Sequence, residues 1–252
     1  MNKYLLPLLS TALLVPAGAP GQLVEQFAPP RANCCLPATA KSLADQLQDW
    51  NQLGRYYADN QRLQQLPADP GRVVFLGDSI TDGWRLAQYF PGKPYVNRGI
   101  GGQTTPQMLV RLFPDVIALQ PAALLVFAGT NDIARNTGPS TLTMIEDNFQ
   151  AIAELAQAHG IKVILCSVTP VSDYTARRQT PERPPSDILK LNAWMREYAA
   201  RANAVFADYY AALVDETGML KQGFSGDGLH PNDKGYALLV PVAEAAIAKA
   251  LP

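Results

Sequence analysis

Two histidines occur in the 252 residues, His159 and His230, so an imidazole base must be one of them. A histidine-rich zinc site is nearly excluded on the same count. His159 stands just before Gly160 at the end of a helix-like stretch, where a histidine suits the helix dipole. His230 lies in the run Gly226-Asp227-Gly228-Leu229-His230-Pro231-Asn232. Pro231 restricts the backbone of His230 to extended conformations. Asp227, three residues earlier, can hold one ring nitrogen while the other takes a proton. A serine hydroxyl is a weak nucleophile until such a base lies beside it. Ser79, in Gly77-Asp78-Ser79, is the candidate. Attack on a carbonyl creates an oxyanion that needs hydrogen-bond donors aimed at it. A backbone N–H of the glycine loop Gly99–Gly102, the N–H of Ser79 and the side-chain amide of Asn131 are available for that task. These parts amount to acyl transfer.

Such distant residues act together only if the fold gathers them. Apolar runs of strand length fall at Val73–Leu76, Tyr95–Asn97, Leu124–Ala128, Lys162–Val168 and Val205–Ala207. Helix-like segments fall between and after them, at Pro106–Leu119, Ser140–His159, Asp187–Ala202 and Lys234–Leu251. Strands separated by helices predict a parallel sheet covered on both faces, a three-layer α/β/α sandwich around five parallel strands. Ligands then bind beyond the carboxyl ends of the strands. Ser79, the glycine loop and Asn131 each follow a predicted strand, and Asp227 and His230 precede the last helix. The proline- and arginine-rich stretch Val171–Ser186 is a long loop of the kind that borders binding sites. Its Arg177, Arg178 and Arg183 read as solvated charge, and Trp84 and Tyr89 as either core or pocket wall.

Composition narrows the setting. Hydrophobic residues make up 48% of the chain, which argues against disorder. Twenty-one basic and 22 acidic residues nearly balance and form no long basic run, so nucleic acid is not an expected partner. Cys34, Cys35 and Cys166 are too few for a disulfide scaffold. Lys3, the apolar run Tyr4–Val15 and the small residues after it predict a signal peptide over residues 1–21. The expected product is periplasmic or extracellular, with no stable membrane insertion after cleavage. Residues 22–66 read as an extended lead-in and a strap helix. Leu43, Leu47, Trp50, Leu53, Tyr57 and Leu63 give that helix one apolar stripe. Residues 67–252 read as the single folded domain.

The blocks GDSITDGW (Gly77–Trp84), NRGIGGQTT (Asn97–Thr105), GTND (Gly129–Asp132) and DGLHPN (Asp227–Asn232) together resemble the GDSL esterase/lipase family, or SGNH hydrolases. The resemblance runs from about Val73 to Leu251. It implies the flavodoxin-like SGNH fold, Ser79 as nucleophile, Asp227 and His230 as its acid and base, and Gly102 and Asn131 in the oxyanion hole. It implies no cofactor and no metal. The run Trp50–Tyr56 also looks like the leader helix of exported bacterial members. The expected substrate is a small-molecule or carbohydrate ester, and the exported chain and the lack of a second long apolar segment that would make a lipase lid favour short acyl or acetyl groups. Lysophospholipase, thioesterase and acyltransferase activities occur on the same motifs. A non-catalytic carbohydrate- or lipid-binding protein on this scaffold is the rival of a different class.

Overall fold

The computed structural model describes residues 47–252. The expected signal peptide, the lead-in with Cys34 and Cys35, and the start of the strap helix with Leu43 lie outside the described residues.

Five strands form one parallel sheet in the order β2-β1-β3-β4-β5. They are β1 (Val73–Gly77), β2 (Tyr95–Gly99), β3 (Ala123–Phe127), β4 (Lys162–Cys166) and β5 (Val205–Ala207). Each coincides with an apolar run expected to be a strand. All five residues of β1 and of β3 are buried, as central strands covered on both faces must be. Alternate side chains serve opposite layers. Val74, Leu76, Leu124, Val126, Val163 and Leu165 pack beneath the helices α4 (Thr105–Val110), α7 (Leu142–Ala158) and α8 (Pro185–Arg201). Val73, Phe75, Leu125, Phe127, Ile164 and Cys166 face the other way, toward α10 (Asp233–Ala250), Ile80, Trp84 and Leu86. The result is the α/β/α sandwich expected from the alternation of strands and helices.

The chain leaves β1 for β2 on one side and later returns to β3 on the other. Register makes the strand ends level: Gly77 pairs with Gly99 and with Phe127. The loops after β1, β2 and β3 therefore leave the sheet at one rim, at the point where strand order reverses.

Two helical expectations differ in detail. The stretch Pro106–Leu119 is divided into α4, α5 (Leu112–Asp115) and a 3₁₀ turn at Ile117–Leu119. Arg111, between α4 and α5, leaves helical geometry (φ −94°, ψ 4°), and Pro114 in α5 has no N–H to continue the ladder. The strap is also interrupted. Only α1 (Tyr57–Gln64) is a full helix in its described part, preceded by turns. The Asp49 carboxylate accepts from the N–H groups of Leu53 (2.7 Å) and Gly54 (2.8 Å), and Gln52 adopts φ +55°. Leu47, Trp50, Leu53 and Tyr57 are exposed, and of the apolar stripe within the described residues only Leu63 is buried. Polar anchors dock the strap instead. Asn60 Nδ2 donates to Asp115 Oδ1 at 2.6 Å, and Asn51 Nδ2 donates to the Gln107 carbonyl at 3.0 Å.

Candidate active site

α2 (Ser79–Asp82) begins at Ser79 immediately after β1. Asp78 caps it, its Oδ1 accepting from the Ile80 N–H at 3.0 Å. Asn97 makes no bond to Asp78. Its Nδ2 donates to the carbonyls of Thr81 (2.6 Å) and Trp84 (3.0 Å), which fastens α2 to β2. Gly99 makes that approach possible: a Cβ there would lie 2.1 Å from the Asp82 nitrogen.

The structure brings Ser79, His230 and Asp227 together. Ser79 Oγ lies 2.9 Å from His230 Nε2, across 151 residues of chain. His230 Nδ1 lies 2.6 Å from Asp227 Oδ2. The other oxygen, Asp227 Oδ1, accepts from the N–H groups of Leu229 (2.9 Å) and His230 (2.8 Å) and from Ser225 Oγ (3.1 Å). Burial pushes the Asp227 carboxyl up, but the His230 ring and these N–H bonds outweigh it and hold it far below the usual carboxylate range. An ionised Asp227 only accepts. The His230 proton therefore sits on Nδ1, and Nε2 is free to accept from the Ser79 hydroxyl.

The expected oxyanion donors come from the turns that follow β2 and β3. Asn131, in α6 (Thr130–Ile133) just after β3, is 3% exposed, and its Nδ2 donates to the Gln103 carbonyl at 3.0 Å. One amide hydrogen anchors it and the second remains available. Gly102 has φ +79°, which a residue with a side chain rarely adopts. Its carbonyl accepts from Asn136 Nδ2 at 3.1 Å. The N–H groups of Gly102 and Ser79 meet no acceptor among the described residues. At Gly101 a Cβ would stand 3.8 Å from the Ser79 Cβ, so this loop rides against the serine.

Beneath these groups lie side chains that motif reading passed over. Arg111 is fully buried and donates to Gln103 Oε1 (2.6 Å), Asp115 Oδ2 (2.9 Å) and the Gly77 carbonyl (3.0 Å). It thereby ties the end of β1 to the loop after β2. An arginine four residues before an aspartate, Asp115, inside a largely apolar helix-like run was the available signal. Arg183 corrects the expectation of solvated charge: it is 4% exposed, with Nε donating to Thr130 Oγ1 at 3.1 Å and Nη1 to Gln179 Oε1 at 3.1 Å. Gln179 Nε2 in turn donates to the Asp227 carbonyl at 3.1 Å. The 171–186 loop thus links the Asn131 turn to the Asp227 turn. Asp132 accepts from the N–H (2.9 Å) and hydroxyl (2.5 Å) of Thr105, an orienting role. Burial raises Asp132 to about 6 and Asp78 to about 7. Trp84 belongs to the core, and Tyr89 donates to Asp233 Oδ1 at 3.1 Å. His159 is the C-cap residue of α7.

A parallel α/β/α domain with a serine, an imidazole and a carboxylate in hydrogen-bonded series at the strand ends is the architecture of a serine-hydrolase class. The profile of the GDSL-like lipase/acylhydrolase family matches residues 75–238. The chain belongs to that family, which places it among the carboxylic-ester hydrolases. A GDSL-like lipase of Bacteroides thetaiotaomicron of known crystal structure is 38% identical, with a TM-score of 0.74, over 80% of this chain and 100% of that one. The esterase TesA of Pseudomonas aeruginosa is 26% identical over 63% of this chain and 79% of its own length. An acetylxylan esterase of Xylanibacter ruminicola is 25% identical over 73% of this chain. The chain spans about half the length of two curated relatives that it matches, 45% of the acetylxylan esterase and 49% of a Bacillus subtilis lipoprotein.

Proposed function

We propose that the protein hydrolyses short-chain carboxylic esters, acetyl esters of carbohydrates foremost, through an acyl-enzyme on Ser79. The observation that carries this reading is the continuous series Ser79 Oγ–His230 Nε2 (2.9 Å) and His230 Nδ1–Asp227 Oδ2 (2.6 Å). His230 takes the Ser79 proton as Oγ attacks the ester carbonyl. Asp227 stabilises the imidazolium that results. The oxyanion is received by the N–H groups of Ser79 and Gly102 and the free amide hydrogen of Asn131. His230 then returns the proton to the departing alcohol. Water, deprotonated by the same ring, releases the acid.

Three observations favour a small acyl group on a bulky alcohol. His230 and Asp227 have side chains 42% and 47% exposed, so the rim is open to a large leaving group. Of the two aromatic residues that could have walled a long acyl pocket, Trp84 is in the core and Tyr89 packs partly buried against it. An acetylxylan esterase is among the relatives. The decisive experiment is a kcat/KM series on acetyl, octanoyl and palmitoyl esters, with Ser79→Ala as control. The acetyl ester should be preferred, and Ser79→Ala should lower kcat by at least ~10⁴-fold while the protein stays folded. A preference for the long chains would favour a thioesterase or lysophospholipase. No turnover of any ester would favour the binding-protein reading. Because His230 must be neutral to accept a proton, kcat/KM should decline toward acid pH. A flat profile would remove it as the base.

Export by the leader expected over residues 1–21 is part of the same proposal. Among the described residues no helix is long and apolar enough to cross a membrane. Amino-terminal sequencing of the protein recovered outside the cytoplasm should begin at Gln22. Recovery only in the cytoplasm with Met1 intact would remove this part.

A further inference from the structure

The oxyanion loop is also held by side chains outside the expected catalytic set. Asp82, the last residue of α2, accepts through Oδ2 from the Gly101 N–H at 3.2 Å. Its Oδ1 accepts from Arg55 Nη2 at 3.1 Å. The next residue, Tyr56, donates its hydroxyl to the Gly99 carbonyl. Arg55 and Tyr56 both precede the region matched by the family, residues 75–238. We propose that Asp82 is a positioning residue for oxyanion stabilisation, and that Arg55 and Tyr56 of the strap brace it from outside.

The physical reason lies in what the loop lacks. Gly101 and Gly102 have no side chains to pack, and a Cβ at Gly102 would meet nothing within 4 Å. Packing therefore does not define the orientation of the Gly101–Gly102 peptide. Hydrogen bonds at its two ends do. Asp82 holds the Gly101 N–H, and Asn136 holds the Gly102 carbonyl. Between them, the Gly102 N–H is left to face the reacting carbonyl. A donor aimed at the transition-state oxyanion acts on kcat far more than on substrate binding. Losing the clamp should therefore appear in kcat and in affinity for tetrahedral mimics, with KM nearly unchanged. Arg55 and Asp82 are partly exposed (51% and 31%), so their ion pair is a weak brace and its loss the smaller effect.

This inference rests on the esterase reading, and the test separates the two. Wild type and Ser79→Ala are assayed first on an acetyl ester. Then kcat, KM, thermal midpoint and the inhibition constant of an arylboronate are measured for Asp82→Ala, Asp82→Asn and Arg55→Ala. Asp82→Ala should lower kcat by about 10- to 100-fold, with the boronate constant rising in parallel and KM within about 3-fold. Asp82→Asn keeps an oxygen to accept the Gly101 N–H and should recover most of that loss. Arg55→Ala should lower kcat by about 3-fold. If Asp82→Ala does not fold, Asp82→Asn and Arg55→Ala decide in its place. Unchanged kcat in Arg55→Ala would then overturn the brace. Asp82→Asn below about one tenth of wild-type kcat would overturn the clamp, because charge and not the hydrogen bond would be at work. In a folded Asp82→Ala, kcat within about 2-fold of wild type, or a loss confined to KM, overturns the proposal as well. A wild type inert toward every ester removes the reading of the preceding section. An active wild type indifferent to Asp82 removes this inference alone.

Discussion

The two halves of the site are built differently. The half around Ser79, Gly102 and Asn131 stands on the ends of β1, β2 and β3, and Asp78, Asn131 and Asp132 there are almost wholly buried. Arg111, Gln103 and Thr105 cross-link it from below. The half around Asp227 and His230 stands on a loop between α9 (Tyr209–Leu213) and α10, with both side chains nearly half exposed. It is ordered by short-range bonds within residues 225–230 and by the Gln179 contact. Asn131 sits in the buried layer, where a preorganised dipole is worth most. Asp227 and His230 sit where water and a bulky molecule can both reach them.

The largest effect should come from the exposed half. Asp227→Asn should lower kcat by about 10⁴-fold. Two backbone N–H groups require an acceptor at the Oδ1 position, so the new NH₂ must occupy the Oδ2 position. It would donate to His230 Nδ1, drive the ring proton to Nε2 and leave Ser79 without an acceptor. Steady-state kinetics at saturating ester measures this. A loss below about 10-fold would mean that the carboxylate merely orients the ring. The buried half comes next. Asn131→Ala should reduce kcat by roughly 10²- to 10³-fold with a small change in KM. An equal loss in KM would place Asn131 in ground-state binding, and the division of labour between the halves would fail.

The sheet and the site were legible in the sequence to different depths. Apolar runs such as Leu124–Ala128 are local signals, and all five strands lie where the runs do. Ser79, Asn131 and His230 stand at strand and helix boundaries, so topology alone brings them to one rim. The strap was misread because periodicity reports spacing and not burial. Trp50 and Tyr57 keep helical spacing yet face solvent, while Asn60 and Asn51 make the contacts. Arg111 and Arg183 were missed for the opposite reason. A charged residue is presumed solvated unless its partners are known, and beside near neighbours such as Asp115 and Gln179 theirs include Gly77 and Thr130, the latter 53 residues from Arg183.

Smaller effects test the contrast through stability. Burial raises Asp78 to about 7 and Asp132 to about 6, whereas an unfolded aspartate titrates near ~3.9. The folded state thus keeps protons that the unfolded chain releases. Their contribution is fully present below ~pH 4 and is lost as pH rises through 6 and 7. Asp173 behaves oppositely. Burial pushes it up, but the Thr180 hydroxyl and N–H, Arg178 and the Gln179 N–H hold it at about 2. Its contribution and that of Asp227 are present above ~pH 4 and fade as pH falls. Stability should therefore peak near ~pH 4–5. Thermal midpoints from pH 3 to 8 measure it. Asp78→Asn keeps an acceptor for the Ile80 N–H and should raise stability at pH 7.5 by on the order of 2 kcal/mol, flattening the decline above pH 5. A midpoint that climbs steadily to pH 8 in wild type would mean that the buried half is hydrated.

Gly102→Ala carries the smallest effect and isolates the exposed loop of the first half. Its φ of +79° disfavours any Cβ, yet a Cβ there meets no atom within 4 Å. The cost is backbone strain alone, about 1 kcal/mol in a urea-unfolding measurement. If the loop relaxes to relieve that strain, the Gly102 N–H turns away, and kcat should fall further than the stability loss accounts for. A stability loss above about 3 kcal/mol would require packing at this position, and the loop would then be held by contact and not by the hydrogen bonds at its ends.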